Sequence, residues 1–163
     1  DYVDATPQDG EGFRAFRLRW DRAAAGRASG DPIVDRYAAL AARRGFEPAW
    51  TEAFLDAMEA DLSVREYDGL EPLLGYIHGS AEVIGLFMAR LMGLPREADA
   101  AAARLGRSMQ YVNFIRDFDE DRRLGRRYLP LEGADPRVSD PAWARGRPEE
   151  FAAFLRPHIA RFE

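Results

Sequence analysis

The sequence predicts an all-α fold, and three observations support this class. Apolar residues recur at intervals of three and four along successive segments, which is the spacing of amphipathic helices. Most prolines and turn-forming residues stand between these segments, where they would start or end helices. The alternation of apolar and polar residues that marks a half-buried strand is absent from the sequence. We therefore expect one helical bundle without a sheet.

Three short helices are predicted in the first part of the chain. The first covers residues 11–25. Asp31 and Pro32 then supply the N-cap and first turn of a second helix, which ends at Gly45, and Pro48 opens the third. The residues expected on the three buried faces are, in chain order, Phe13, Phe16 and Trp20, then Ile33, Val34, Tyr37 and Leu40, then Trp50, Phe54, Leu55, Met58 and Leu62.

The rest of the chain is predicted to form two long helices and a terminal one. Residues 72–93 give one continuous helical pattern, and a second long helix spans 103–121. Pro148 begins the last helix after a loop over 133–147. A glycine inside a helix costs about 1 kcal/mol relative to alanine, so the glycines of the long helices need a compensating role. These glycines could allow two helices to pack closely, or they could leave room for a ligand.

Composition limits the function classes. With 163 residues, 47% of them hydrophobic, the chain suits one domain with a sizeable core. The net charge of −5 offers no basic surface for nucleic acid, and no apolar run is long enough to cross a membrane. Without cysteine or a signal-peptide pattern, we expect a cytoplasmic protein, with peripheral membrane contact left open. Two isolated histidines do not favour a histidine metal site.

One stripe of the helix over 103–121 is polar, although much of the helix is apolar and expected to be buried. At about 100° per residue, this stripe contains Gln110, Asn113, Asp117 and Asp121. Two carboxylates at i,i+4 repel each other, and apolar neighbours raise that cost unless a cation compensates. Amide and carboxylate oxygens are the hard ligands that Mg²⁺ accepts. The stripe therefore indicates a metal site; the alternative is a solvated acidic face paired with the arginines that follow.

The run from Asn113 to Pro130, N-F-I-R-D-F-D-E-D-R-R-L-G-R-R-Y-L-P, resembles the second aspartate-rich signature of the squalene/phytoene synthase family. The opening D-Y-V-D resembles part of that family's first aspartate-rich motif, with Asp1 and Asp4 at its second and third aspartates. The resemblance implies an isoprenoid-synthase-type helical bundle with a central cavity. Because family members are longer, we expect a central fragment, truncated at both ends.

The resemblance also implies site residues. The metal ligands correspond to Asp1, Asp4, Asn113, Asp117 and Asp121, which would bind Mg²⁺ or, as a substitute, Mn²⁺. The catalytic residues correspond to Asp4, Asp117, Asp121 and Tyr76. Contacts to the diphosphate or the rest of the substrate correspond to Gln110, Asn113, Arg116, Arg126 and Tyr128.

Other polar residues of these segments are given structural roles. Asp61 lies in a segment that resembles the family, but we expect a helix-end salt bridge there. Arg116 has an alternative role, as a brace for Glu120 at i,i+4. Three further arginines are expected to cover the surface: Arg122, Arg123 and Arg127.

The implied activity is Mg²⁺-dependent head-to-head condensation of two prenyl diphosphates through a cyclopropyl intermediate. The segment Y-I-H-G-S-A-E-V-I-G looks more like phytoene synthases, which favours geranylgeranyl diphosphate and carotenoid biosynthesis. A squalene or dehydrosqualene synthase acting on farnesyl diphosphate is the alternative. The G-R-x-Y-L-P tail argues against a chain-elongating prenyltransferase or a terpene cyclase. A non-catalytic assembly or scaffold protein is the alternative of another class, and the oligomeric state is left open.

We further predict a prenyl channel above the aspartate stripe. Small residues of the two long helices would face it together: Ala103, Gly106, Gly79, Ser80 and Val83. The competing explanation is that these residues only allow two helices to pack closely.

Overall fold

Helices form nearly all the regular structure in residues 2–3 and 7–162, the part of the chain that this computed structural model describes. The α-helices are α1 (Gly10–Ala24), α2 (Pro32–Arg44), α3 (Pro48–Ala60), α4 (Leu70–Ile77), α5 (Val83–Leu91), α6 (Asp99–Arg116), α7 (Phe118–Arg123), α8 (Pro141–Arg145) and α9 (Pro148–Ile159). A π-helix over His78–Glu82 joins α4 to α5, and short 3-10 turns lie at Arg96–Ala98, Pro136–Ser139 and Ala160–Phe162. The all-α class is confirmed.

Side-chain chemistry sets the ends of the first helices. The Asp9 carboxylate accepts a hydrogen bond from the backbone N–H of Gly12 at 2.8 Å and caps α1. Asp31 caps α2 by accepting from the N–H of Ile33, also at 2.8 Å. Gly45 ends α2 in the left-handed region, with φ 67°. Helix α2 therefore lies between the two residues that the sequence assigns to its ends.

Helix α4, the π-helix and α5 follow one another without a gap, so the continuous helical pattern predicted over 72–93 is confirmed for Leu70–Leu91, with a change to π-type hydrogen bonding at His78–Glu82. The backbone here lies very close to its neighbours. A methyl group on Gly79 would overlap the carbonyl oxygen of Ala53 in α3, and one on Gly106 would overlap the carbonyl oxygen of Ala81. These two glycines therefore serve the close packing of α3, the π-helix and α6.

The largest buried cluster packs α4 and the π-helix against α6, α9 and the segment after α7. Leu73, Ile77 and Leu129 are its fully buried aliphatic members. A second cluster, which includes Phe13 and Trp20, lies among α1, α2 and α3. The site described below lies on the first cluster, so its backbone rests on well-packed side chains.

Two predictions about burial are wrong. Ile33, expected on the buried face of α2, is 75% exposed. Helix α6 is not buried over much of its girth, because Leu105, Met109 and Val112 are 63%, 61% and 54% exposed. One side of α6 packs on the π-helix and α5, and these apolar residues remain partly exposed beside that contact. Within the described residues, every helix is too short or too polar to span a bilayer.

Candidate active site

The second aspartate-rich signature begins in α6 and continues through a break in the helix. Helix α6 ends at Arg116, Asp117 has φ −96° and ψ 9°, and α7 begins at Phe118. The backbone hydrogen bonds on either side are kept, from Asp117 N to Asn113 O at 2.8 Å and from Asp121 N to Asp117 O at 2.9 Å. The three ligand-type residues of the predicted stripe therefore still follow one another at successive turns.

Asp117 and Asp121, the two aspartates of the signature predicted as metal ligands, differ in their electrostatic surroundings. Arg116 donates two hydrogen bonds to the Asp117 carboxylate, from Nε and Nη2, both at 2.6 Å. This pairing lowers the pKa of Asp117. Burial, followed by the negative charge of Asp117, raises the pKa of Asp121 to about 6. Among the described residues no cation forms an ion pair with Asp121, so this half-buried carboxylate lacks a neutralising charge.

Arg116 does not form the brace suggested as its alternative role, and Arg127 does not lie at the surface as predicted. Arg116 pairs with its neighbour Asp117 and not with Glu120 as the proposed i,i+4 brace. Arg127, predicted at the surface, is 4% exposed. Arg122 is also largely buried, and its Nε donates to the carbonyl oxygen of Ser139 at 2.7 Å. Arg123, by contrast, is exposed, as predicted.

Arg127 holds the end of the signature against the loop that follows α3. Its Nη1 donates to the carbonyl oxygens of Tyr67 and Leu129 at 2.9 and 3.1 Å, and its Nη2 donates to Glu66 at 3.0 Å. The backbone adds a parallel bridge, with Arg127 N donating to Arg65 O at 2.7 Å and Tyr67 N to Arg127 O at 3.1 Å. This fixes the backbone between Arg126 and Tyr128, the two signature residues predicted to contact substrate.

Arg126 differs from the other arginines of the signature. Arg116, Arg122, Arg123 and Arg127 each form an ion pair with a carboxylate. In the part of the chain that the structure describes, Arg126 forms none; its Nη1 lies 3.4 Å from the Tyr128 hydroxyl, to which it donates. Its charge does act on Asp121. A half-buried guanidinium without an ion pair is suited to binding an anion.

Aromatic rings surround Tyr128. Phe114 stacks on it with ring centroids 4.3 Å apart and an interplanar angle of 8°. The ring centroids of Tyr76 and Tyr67 lie 5.5 and 6.0 Å from that of Tyr128. Burial raises the pKa of Tyr76 and of Tyr128, so both phenols are neutral. The Tyr128 ring, which adjoins Arg126, therefore belongs to a cluster of four rings.

Asp61 belongs to this site, although the sequence analysis favoured a helix-end salt bridge for it. The Tyr76 hydroxyl donates to the Asp61 carboxylate, at 2.9 Å to Oδ1 and 3.2 Å to Oδ2. The Asp61 charge also raises the pKa of Arg126. The predicted helix-end salt bridge therefore does not account for the contact of Asp61 with Tyr76. The one signal in the sequence was the resemblance to the family of the segment that contains Ala60-Asp61-Leu62 and, after it, Arg65 and Tyr67.

An apolar groove of about 590 Å³ starts beside the signature and follows α5 and α6. Gln110 and Asn113 line one end, where the Asn113 amide donates to Gln110 Oε1 at 3.4 Å. Along α6 the lining extends back to Ala98, a distance of roughly 22 Å at 1.5 Å per residue. Most of the groove lining consists of aliphatic and methionine side chains, including Ile84, Met88, Met92, Leu94, Leu105 and Met109.

The five small residues predicted to face one channel separate in the structure. Ser80 and Gly106 line the groove, whereas Gly79 faces α3. Val83 is fully buried in a core cluster, and Ala103 packs against that cluster. The prediction of a shared channel is therefore wrong for Gly79, Val83 and Ala103, for which close packing is the explanation.

The residues predicted as metal ligands are only partly described. Asp1 and Asp4 lie outside the described residues. Within the described ranges, no group of three or more acidic or histidine side chains is close enough to hold a metal ion. Asn113, Asp117 and Asp121 offer hard oxygen donors, and burial together with the nearby Asp117 charge raises the pKa of Asp121, an effect that a bound cation would oppose. These residues fit a Mg²⁺ ion in donor type and in charge.

Comparison with known proteins agrees with this arrangement. A family model for squalene/phytoene synthase matches residues 1–163. The chain belongs to the squalene/phytoene synthase family. This membership accounts for the aspartate signature, the G-R-x-Y-L-P tail and the all-α fold together.

Several curated relatives of the squalene/phytoene synthase family match the chain. The 15-cis-phytoene synthase of Paracoccus sp. (strain N81106 / MBIC 01143) is 35% identical over 146 residues, 85% of this chain and 47% of that protein. The presqualene diphosphate synthase of Rhodopseudomonas palustris is 39% identical over 98 residues, 53% of this chain and 35% of that protein. The 15-cis-phytoene synthase of Pantoea ananas is 32% identical over 116 residues, 71% of this chain and 38% of that protein. The chain thus spans half or less of the length of these relatives, and no solved structure matches it significantly.

Proposed function

We propose that this protein condenses two prenyl diphosphates head to head in a Mg²⁺-dependent reaction that releases diphosphate. The observation that carries the proposal is the junction at Asn113. There the aspartate signature, with the adjoining arginine and aromatic residues, meets one end of a long apolar groove. A prenyl diphosphate has the same two parts, an anionic head and a long hydrocarbon tail.

Binding of Mg²⁺ is supported by the charges of the signature. Asn113, Asp117 and Asp121 would hold the ion, together with the predicted ligands Asp1 and Asp4 of the first motif. Bound Mg²⁺ would supply positive charge to the leaving diphosphate. Arg116 is 67% exposed at its side chain, so it can turn from Asp117 toward a bound diphosphate when a metal neutralises the aspartate.

The protein side chains would bind the head group and protect the cation that forms when the carbon–oxygen bond breaks. Arg126, without an ion pair of its own among the described residues, would donate to the diphosphate. The faces of Tyr76, Phe114 and Tyr128 are available to stabilise an allylic cation. Because the Tyr76 hydroxyl donates to Asp61, its ring is held in one orientation. The apolar walls of the groove would exclude water.

For the substrate we propose geranylgeranyl diphosphate, which gives phytoene and places the protein in carotenoid biosynthesis. Support comes from the phytoene synthase relative, which covers 85% of this chain. The presqualene diphosphate synthase relative supports the alternative, farnesyl diphosphate as substrate, over a shorter 53% of the chain.

A direct assay tests both the reaction and the substrate. The purified protein would be incubated with Mg²⁺ and labelled geranylgeranyl or farnesyl diphosphate, and the extracted hydrocarbons and prenyl diphosphates would be identified by mass spectrometry. We expect a forty-carbon product from the twenty-carbon substrate and less turnover of the fifteen-carbon one. A thirty-carbon product alone would establish the alternative substrate. No product and no binding of either diphosphate would support the non-catalytic alternative.

A further inference from the structure

The Gln8 side chain joins two segments that are far apart in sequence. Its Nε2 donates to the carbonyl oxygen of Val3 at 2.6 Å and to the carbonyl oxygen of Asp61 at 3.0 Å. Its Oε1 accepts from Arg65 Nη2 at 3.0 Å. One amide group therefore uses both of its donor hydrogens and one acceptor position to bridge the N-terminal segment and the end of α3.

Arg65 completes the connection on the side of α3. Its Nη1 donates to the same Asp61 carbonyl oxygen at 3.3 Å, and its own carbonyl oxygen accepts from Arg127 N at 2.7 Å. Residues 61–67 therefore contact the N-terminal segment through Gln8 and the end of the signature through Arg127. They are the shared support of both.

Two further contacts involve described residues near this bridge. Asp9 N donates to Tyr2 O at 2.8 Å, which connects Tyr2 to the start of α1. Val3 is 8% exposed and packs in the core cluster formed by α1, α2 and α3. Because Val3 lies in the D-Y-V-D motif, the contact to its carbonyl oxygen acts on the backbone of the first aspartate-rich motif itself.

We propose that Gln8, together with Arg65, is a positioning residue that fixes the first aspartate-rich motif relative to Asp61 and the second motif. It acts through the backbone of residues 3 and 61 and contacts neither substrate nor metal. Its contribution is to hold the two motifs at the separation at which both act on one Mg²⁺–diphosphate group. The inference rests on the proposed function and deepens it.

Substitutions at Gln8 and Arg65 test this role. Gln8→Met keeps the length of the side chain and removes its hydrogen bonds, and Arg65→Met removes the partner. For each variant we expect the Mg²⁺ concentration that gives half-maximal diphosphate release to rise about tenfold, the equivalent of about 1.4 kcal/mol, because the first motif is held less firmly against Asp61. The double variant should show the effect of one single variant and not the sum, since both act through the same connection.

Asp9→Ala is the matched control. It lies next to Gln8 and removes the N-cap of α1 but leaves the Gln8 contacts in place. It should lower the melting temperature without changing the Mg²⁺ dependence, whereas Gln8→Met should change the Mg²⁺ dependence in addition to any fall in melting temperature. If Gln8→Met lowers only the melting temperature, as Asp9→Ala does, the residue is merely structural and the inference is wrong.

The outcome for the unaltered protein separates this inference from the proposed function. Absence of Mg²⁺-dependent diphosphate release in the unaltered protein would overturn the proposed function. Mg²⁺-dependent release that Gln8→Met and Arg65→Met leave unchanged would overturn the positioning role alone.

Discussion

The two ends of the proposed site are built differently. At the polar end, Arg127 is 4% exposed and ties the signature to the loop after α3 with hydrogen bonds to backbone and side chains. Along the groove, the outer wall consists of exposed side chains such as Met88, Met92 and Met109, at 51%, 67% and 61% exposure. Methionine side chains are flexible and adapt to irregular partners. The contrast indicates a rigid end for the diphosphate and an adaptable surface for the hydrocarbon tail.

The largest effect is expected from the rigid end. Arg127→Met would leave the carbonyl oxygens of Tyr67 and Leu129 without their donor and remove the partner of Glu66. Each buried acceptor left without its donor costs about 1–3 kcal/mol in the free energy of unfolding. Urea unfolding would measure the loss. Arg123→Met, at a side chain 66% exposed, is the control and should change stability by less than about 0.5 kcal/mol.

A second prediction compares two residues of α6 that both line the groove. Gly106→Ala places a methyl group against the carbonyl oxygen of Ala81, and the resulting overpacking should cost about 1–3 kcal/mol. Met109→Ala truncates an exposed side chain and should leave stability within about 0.5 kcal/mol, while changing the ratio of kcat/KM for twenty- and fifteen-carbon substrates. Equal stability of the two variants would contradict the packing role of Gly106.

The third prediction concerns the anion-binding arginine at the polar end. Arg126→Lys replaces the guanidinium with a single ammonium group, which cannot form two parallel hydrogen bonds to phosphate. We expect the KM for the prenyl diphosphate to rise about tenfold, the equivalent of one lost hydrogen bond of roughly 1.4 kcal/mol. An unchanged KM would remove Arg126 from the site.

The smallest effect is expected from Asp121 in the protein without metal. Because its pKa is raised to about 6 in the folded protein, the folded state binds more protons than the unfolded state between about pH 4 and pH 6. The stability contributed by this group therefore falls as the pH rises through that window. Asp121→Asn removes the penalty, so in EDTA at pH 7.5 its melting temperature should be about 2–4 °C above that of the unaltered protein. The difference should shrink toward pH 5; a difference that does not change with pH would contradict the raised pKa.

The sequence predicts those features that depend on neighbouring residues and misses those that depend on tertiary contacts. Asp31 and Gly45 act within one turn of α2, so the ends of that helix were predicted. The spacing of Asn113, Asp117 and Asp121 likewise lies within consecutive turns. Whether a small residue such as Gly79 faces a ligand or another helix depends on where α3 lies, which the spacing does not contain.

The errors at the site have the same origin. In the sequence, Arg127 looks like one of a run of surface arginines. It is buried because it binds the loop over 65–68, which lies some sixty residues earlier in the chain. The hydrogen bond from Tyr76 to Asp61 joins α4 to the end of α3, so neither residue reveals its partner in the sequence. Pairing in three dimensions therefore decides which polar residues of this chain belong to the site.

The most direct test of the account is the Mg²⁺ dependence of diphosphate release in Asp117→Asn and Asp121→Asn. Labelled geranylgeranyl diphosphate would be incubated with each variant and with the unaltered protein over a range of Mg²⁺ concentrations, with folding checked by circular dichroism. The account predicts that both variants fold and that each loses Mg²⁺-stimulated release by about a hundredfold or more, because the metal-bound charge that stabilises the leaving diphosphate is removed. Near-normal, Mg²⁺-dependent release by either folded variant would contradict the assignment of these two aspartates to the metal.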